Sequence, residues 1–553
     1  MSIYLSDPRR ASLILICILG FPVLIAIWFL PWFVTQDGPL HLYNAHILAR
    51  LSSEDSIFNH YYAARGGPLP YLGGYHLLMW LMMIFSPRNA DRAIITLTSI
   101  GFVASILWLR WRVAGWSGMS VIVPLAMILA LSELWLLGFY PFLTGACLFS
   151  VSLGLWWKWR DELTITRAVI LVALLVLGYF FHIVSAALTL FGIGVLAIFT
   201  PTGDWRRRLF WTGLSLLPGA LLIISFGWLM QNAGGANVQW VSLENAWSIQ
   251  DWLRYLQSPD FISLSPGSLF LNTFTISTDF PFVGQPSIGF ALFSPALWCL
   301  AGLILLSASM VSSLPNKSAI LTSKHRGWAL LSLILIIAGL WGPGAAGQGA
   351  ILRERLLLLG LVTIVPVIKF DAKNLSARIG TVCLFIAAII QIGFVLDYAR
   401  MSNRTVGQFM QAAQYVGTGQ RVSVVIADTK SKYVVNPVLN LSNQLGIDSE
   451  NIIWNNYGPA YYYFPVEFRD QTVADRWKAY NLMGEIFLSG QAEEVATKDS
   501  ERWIRAFSRI NSETDVFIVW GKADWLDAIN SQWYENEPVF DNGYVKVFRR
   551  KSD

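Results

Sequence analysis

Charge is what this 553-residue chain has least of. Asp, Glu, Lys and Arg together make 14% of it, against 55% hydrophobic residues, and mean hydropathy is +0.50. Soluble domains carry about 25% charged residues, so a water-soluble enzyme is excluded. Cysteine is scarce as well. Cys17, Cys147, Cys299 and Cys383 all lie in apolar stretches, which excludes a disulfide framework and a cysteine zinc site. No strong excess of one sign is present either. A net charge of +5 in so apolar a chain reports where loops lie, and nucleic acid is excluded as a partner. No internal repeat, low-complexity tract or Ala-x-Ala cleavage site stands out, so the first apolar stretch is expected to stay as an anchor.

What is present is a series of apolar runs of bilayer length. A spanning helix needs roughly 20 apolar residues, because each adds about 1.5 Å through a core about 30 Å thick. Ser12–Trp32, Ile94–Leu109, Ser120–Leu137, Phe142–Trp157, Ile288–Ser307, Trp328–Trp341, Leu356–Ile368 and Thr381–Leu396 meet or approach that length. Ala168–Phe199 exceeds it, since a single helix there would run about 48 Å. Two short helices meeting near His182 return the Asp204–Arg208 cluster to the cytoplasm.

Basic residues set the orientation. Tyr71–Phe85 is apolar but short and holds Gly73, Gly74 and His76. If it does not span, cytoplasmic loops hold 16 Lys and Arg and outer loops hold 7. If it spans, the ratio inverts. The positive-inside rule therefore favours a non-spanning or re-entrant hairpin. The expected fold is a polytopic α-helical membrane protein of about eleven spans. Its N-terminus is cytoplasmic, and large outer loops lie at about 33–92 and 231–287.

From about Asp397 the composition becomes polar, with strand-like runs at Val422–Ala427, Val516–Trp520 and Tyr544–Phe548. Helical periodicity follows at Asp475–Leu488 and Ser500–Ile510, and a short interfacial helix is expected at Asp251–Leu256. The expected domains are thus a transmembrane region, 1–396, and a soluble extracytoplasmic α/β domain, 397–553, which is long enough to hold its own core.

Few residues can carry chemistry. Asp37 stands where the chain leaves the first apolar run, before Gly38-Pro39 and a helix expected over Leu40–Leu51. Pro39 suits a first helical turn. Asp37 reads either as the cap of that helix or as a general base kept ionised at its N-terminus; both roles want the charged form. His41 lies one turn on and is placed to orient Asp37, with an interfacial histidine as the plainer reading. Glu133 sits near the outer end of an apolar run, where an ionisable group is costly unless paired or in a wet cavity. His182 stands alone in Phe180-Phe181-His182-Ile183. Arg353 and Arg355 open an apolar helix after the glycine-rich stretch Gly342–Gly349, where guanidinium groups suit a phosphate or ordinary lipid headgroups. The run Tyr461-Tyr462-Tyr463-Phe464-Pro465 reads as half core and half surface, or as a stacking face for sugar rings.

Several features occur together: Asp37 in the first outer loop, the segment Pro70–Phe85, the helix opening Ser86-Pro87-Arg88-Asn89-Ala90-Asp91-Arg92 and the late helix opening Arg353-Glu354-Arg355-Leu356. A polar domain follows the last span. This pattern resembles the GT-C superfamily of membrane glycosyltransferases, nearest to its protein-mannosyltransferase-like and aminoarabinose-transferase-like branch. The likeness covers residues 1–396.

The resemblance implies an inverting transfer of a sugar from a polyprenyl-phosphate donor to a lipid, polysaccharide or protein acceptor, at the outer face of the cytoplasmic membrane. Asp37 matches the family's first-loop catalytic Asp. Arg353 or Arg355 matches its late-helix phosphate residue, and Glu133, His182 and His41 are left as substrate contacts. The second acid found beside that Asp in many members is missing here, and so is an Asp pair in the second loop. A metal-independent mechanism is therefore expected over a divalent-metal one, with no cofactor. Membrane lipids are the remaining partners. Two other classes stay open: a transporter or flippase, and a non-catalytic membrane component of envelope polysaccharide assembly.

Overall fold

The computed structural model describes residues 7–200, 204–232, 238–239, 294–312, 325–346, 351–428, 431, 433, 435–470, 472, 508, 511–522 and 531–551. The interfacial helix expected at Asp251–Leu256 lies outside them, with most of its loop. So do the helices expected at Asp475–Leu488 and Ser500–Ile510, Ser508 excepted. The chain forms two compact units, one of Met1–Ile25 with Ile95–Leu396 and one of Ala26–Ile94 with Asp397–Asp553. Their boundaries fall inside helices.

The helices in chain order are α1 (Pro8–Phe29), α2 (Gly38–Arg50), α3 (Phe58–Tyr61), α4 (Leu72–Ile84), α5 (Pro87–Ala114), α6 (Met119–Ala130), α7 (Glu133–Leu136) and α8 (Tyr140–Trp159). They continue as α9 (Ile165–Phe181), α10 (Ile183–Phe199), α11 (Trp205–Asn232), α12 (Pro295–Ser312), α13 (Arg326–Trp341), α14 (Leu352–Ile364), α15 (Leu375–Met410), α16 (Ala413–Val416) and α17 (Gln444–Ile447). Among the described residues five of these, α1, α5, α11, α12 and α15, are long and apolar enough to cross a membrane. Helices suit that setting because they satisfy their own backbone polar groups. The chain is a multi-pass membrane protein.

In the first unit, the apolar run around His182 divides into α9 and α10. His182 itself is extended (φ −164°, ψ 123°), and its Nδ1 accepts from the Val184 N–H at 3.2 Å. The expected single span over Ser120–Leu137 is not one helix. It stops at Ala130 and resumes as α7, and the freed Leu131 carbonyl accepts from Gln391 Nε2 of α15 at 2.6 Å. Small residues bring other helices close. A Cβ on Gly339 would lie 2.7 Å from the Leu357 nitrogen, and one on Gly302 would lie 2.9 Å from the Gly380 carbonyl oxygen. With no water between helices to expel, such backbone contact is the main source of packing energy. A two-residue antiparallel pairing joins β2 (Val238–Gln239) to β3 (Ala345–Ala346).

In the second unit α4 is a single 13-residue helix, about 20 Å long and too short to span; the hairpin expected there is not formed. Strand β1 (Tyr62–Ala64) pairs antiparallel with β6 (Val466–Phe468), Tyr62 opposite Phe468. A five-stranded mixed sheet has the order β5 (Ile452–Ile453), β4 (Arg421–Ile426), β7 (Val516–Trp520), β9 (Val545–Arg549), β8 (Phe540–Asp541). Its central strands are those the sequence marked. Strand β7 is buried along its whole length, as a strand covered on both faces should be.

Candidate functional site

The second unit places Asp37 at the start of α2, with Pro39 in the first turn and no hydrogen bond from the Asp37 side chain to the helix end. The capping reading is thereby corrected, and the backbone supplies the reason. Asp37 has φ −96° and ψ −5°, whereas a capping residue is extended so that its side chain turns back to the N2 or N3 N–H. The buried carboxylate instead accepts from Asn440 Nδ2 at 2.8 Å on Oδ1 and from the Tyr457 hydroxyl at 3.2 Å on Oδ2. Both donors are neutral. Burial and the neighbouring Asp37 charge push the Tyr457 hydroxyl well above its usual range, which keeps it a donor.

The chain on either side of Asp37 is held in the same way. The Val34 carbonyl accepts from the Tyr398 hydroxyl at 2.8 Å, and the Gln36 side-chain carbonyl accepts from the Asn436 N–H at 3.1 Å. On α2, Asn44 and Asn456 exchange side-chain amide bonds at 3.1 and 2.8 Å. His41 Nδ1 lies 2.8 Å from the Tyr75 hydroxyl, and its ring stacks on Phe464. Burial lowers His41 to about 4, so the ring is neutral at physiological pH. Of the tyrosine run, Tyr463 and Phe464 pack against Tyr71, while Arg65 lies over Tyr462.

Glu133, His182, Arg353 and Arg355 belong to the first unit. Arg353 reaches back to the end of α13, donating from Nε to the Gly339 carbonyl at 3.3 Å and from Nη2 to the Leu340 carbonyl. A cation at a helix C-terminus satisfies carbonyls that the helix leaves open, which is a structural role. Arg355 is different. Its guanidinium lies 4.8 Å from the Phe139 ring and 5.3 Å from Phe142, and Nη1 lies 3.3 Å from His182 Nε2. Its Nε is buried without a hydrogen-bond partner among the described residues.

Just before these arginines, Ile351 adopts the left-handed conformation (φ 59°, ψ 40°). For a β-branched residue that conformation stores strain of the order of 1–3 kcal/mol, a cost found mainly at functional sites. Glu133 opens α7 at 7% exposure. No hydrogen bond or ion pair reaches its carboxylate among the described residues. Among those residues, too, no three His, Cys, Asp or Glu side chains converge as metal ligands.

Asn440 and Tyr457 escape a reading of the sequence alone, although a signal was available. Asn436, Asn440, Asn443, Asn451 and Asn456 crowd one short segment and are all buried. So many amides out of water must bond to one another or to a ligand.

No protein-family model matches the chain, and no curated protein does. Among solved structures, it is similar to the crystal structure of ArnT from Cupriavidus metallidurans bound to undecaprenyl phosphate, with a TM-score of 0.43 and 12% identity over 98% of each chain. The apo state of that protein is similar with a TM-score of 0.40 and 12% identity over 97% of each chain.

Proposed function

We propose that this chain is a membrane glycosyltransferase of the GT-C kind that takes its sugar from a polyprenyl-phosphate donor. The observation that carries the reading is Asp37. A buried carboxylate in the first loop is released from capping its own helix and fixed by two neutral donors from the far end of the chain. Such fixing suits a group that must meet a proton at one place.

The chemistry is a single displacement. The acceptor oxygen attacks the anomeric carbon opposite the phosphate, the carbon–oxygen bond to phosphate breaks, and the phosphate leaves with the electron pair. The acceptor proton passes to Asp37, which contributes a factor of about 10²–10⁴. Negative charge grows on the leaving phosphate, and a fixed guanidinium lowers the energy of that state. Of the two arginines Arg355 fits this role, because Arg353 is engaged with the end of α13 and Arg355 keeps a buried donor unspent. Glu133 and His182 are assigned to the donor sugar, and His41 to the packing that holds α2. The reading places the reaction at the outer face of the cytoplasmic membrane, with the 397–553 region on that side.

The test uses full-length protein and short-chain polyprenyl-phosphate pentose and hexose donors. Wild type should transfer sugar, and Asp37→Asn, folded to the same melting temperature, should lose at least about a hundredfold in rate. Equal rates would remove Asp37 as the base. Failure of wild type with every donor would remove the transferase reading.

A further inference from the structure

We infer that the first unit holds one anionic phospholipid, with an acyl chain in a groove between α1, α5 and α6 and the phosphate on a ladder of Trp and Arg beyond the groove's end. The groove has a volume of ≈ 690 Å³, walled by Ile16, Phe21 and Leu24 of α1, Val103 and Ala104 of α5, Met127 of α6 and Leu131 just past its end. Its lining is almost wholly apolar, so it offers water nothing to bond to. In a bilayer it takes hydrocarbon.

Farther along the same helices, past the groove, the side chains turn polar. The Arg9 guanidinium lies 5.0 Å over the Trp116 ring, Trp116 lies 6.1 Å from Trp111, and Arg112 sits 4.3 Å over Trp111. Along the helices, Arg9 precedes Ile16 by about 10 Å and Arg112 follows Ala104 by about 12 Å. The two guanidiniums therefore stand about 10–12 Å beyond one end of the groove, a gap that the glycerol backbone and the first several carbons of an acyl chain span together. Two donors there, Arg112 Nε and Trp116 Nε1, are buried without a hydrogen-bond partner among the described residues. Such donors call for an acceptor, and a phosphate beside two guanidiniums supplies several.

The combination selects the ligand. A neutral lipid would fill the groove and leave the cations unanswered, while free phosphate would answer the cations and leave the groove empty. An anionic phospholipid does both. None of these residues has a part in the proposed reaction, so the lipid site does not rest on it.

Native mass spectrometry of full-length, detergent-purified protein tests it, with dioleoyl phosphatidylglycerol, dioleoyl phosphatidylcholine and inorganic phosphate added separately. One phosphatidylglycerol should be held at least about tenfold more tightly than phosphatidylcholine, and phosphate should not displace it. Each guanidinium removed should weaken binding about fivefold, so Arg9→Gln with Arg112→Gln should lose about 25-fold. Trp116→Phe keeps the ring and removes the donor, while Ala104→Trp fills the groove; each should weaken retention on its own. Equal retention of the two lipids, displacement by phosphate, or unchanged retention in the double variant would overturn the proposal. If the double variant does not fold, wild-type retention in both Trp116→Phe and Ala104→Trp would overturn it.

Discussion

Asn440 donates its side-chain amide to Asp37 Oδ1 at 2.8 Å across a separation of 403 residues. The orientation of the carboxylate is therefore set by a remote part of the chain and not by the helix that it precedes. Tyr457 repeats the relationship on the other oxygen.

Removing either donor should loosen the base without removing it. Asn440→Ala is expected to cost about 1–3 kcal/mol of stability, since a buried charged acceptor loses its partner. It should also lower kcat about tenfold with little change in donor KM. Tyr457→Phe keeps the ring that packs edge-on to Phe464 and should cost less of both. Steady-state kinetics beside thermal melts check this, and an unchanged kcat in both variants would contradict it.

Arg355→Lys retains the charge and loses the planar group that lies over Phe139 and Phe142. Lysine offers a point charge in place of a rigid fork of donors, so donor KM should rise about tenfold. The matching change at Arg353, which engages backbone carbonyls, should show chiefly as about 1 kcal/mol of lost stability. If the two variants exchange these signatures, the assignment of Arg355 is wrong.

His41 makes stability depend on pH in a definite direction. The unfolded chain takes up a proton near 6.5, whereas the buried ring does so only at about 4. Because the folded value is the lower one, its stabilising effect is complete above about 6.5 and declines as pH falls from there to about 4. The full decline is at most ~3 kcal/mol. Wild type should therefore lose melting temperature relative to His41→Gln over that window. Parallel curves would show that the ring is not held neutral by burial.

A second acid-sensitive element lies in the mixed sheet. Asp515 receives the Arg421 guanidinium on both oxygens, Nη2 at 2.6 Å and Nε at 3.0 Å, and the Arg421 N–H at 2.9 Å. Burial works against the charge, yet these hydrogen bonds hold the carboxyl below its usual range. A lowered folded value gives stability that is full above the ordinary Asp pKa of about 3.9 and lost as pH falls through the folded one. Hydrogen exchange along β4 should distinguish wild type from Asp515→Asn near neutrality and cease to do so in strong acid. Equal protection at both ends would exclude the pair as a clamp.

Much of this architecture was legible because the bilayer constrains it. The break at His182 follows from a run too long to span in one piece, and α2 follows from Gly38-Pro39. The central strands β4, β7 and β9 showed as apolar runs in a polar region. Other features depend on distant chain. Nothing near Asp37 indicates Asn440, and β1 has only three residues, too few to show an alternation. Nor does composition separate Arg353 from Arg355. Two positions apart on a helix, they point about 200° from each other, and only the packing around each tells which one closes α13 and which one faces His182. The cap at Asp37 failed as an expectation because residue type names a capability, while φ and ψ decide whether it is used.

The pairing of β1 with β6 has a consequence for synthesis. Tyr62 emerges from the ribosome some 400 residues before its partner Phe468. Until then the first loop carries unspent strand edges and the amide of Asn44, with Asn456 still to come. A chain stalled just after α15 would therefore present an unfinished surface, with the Tyr62 strand edge unpaired. The first loop therefore reaches its native pairing only once the chain has been made as far as Phe468.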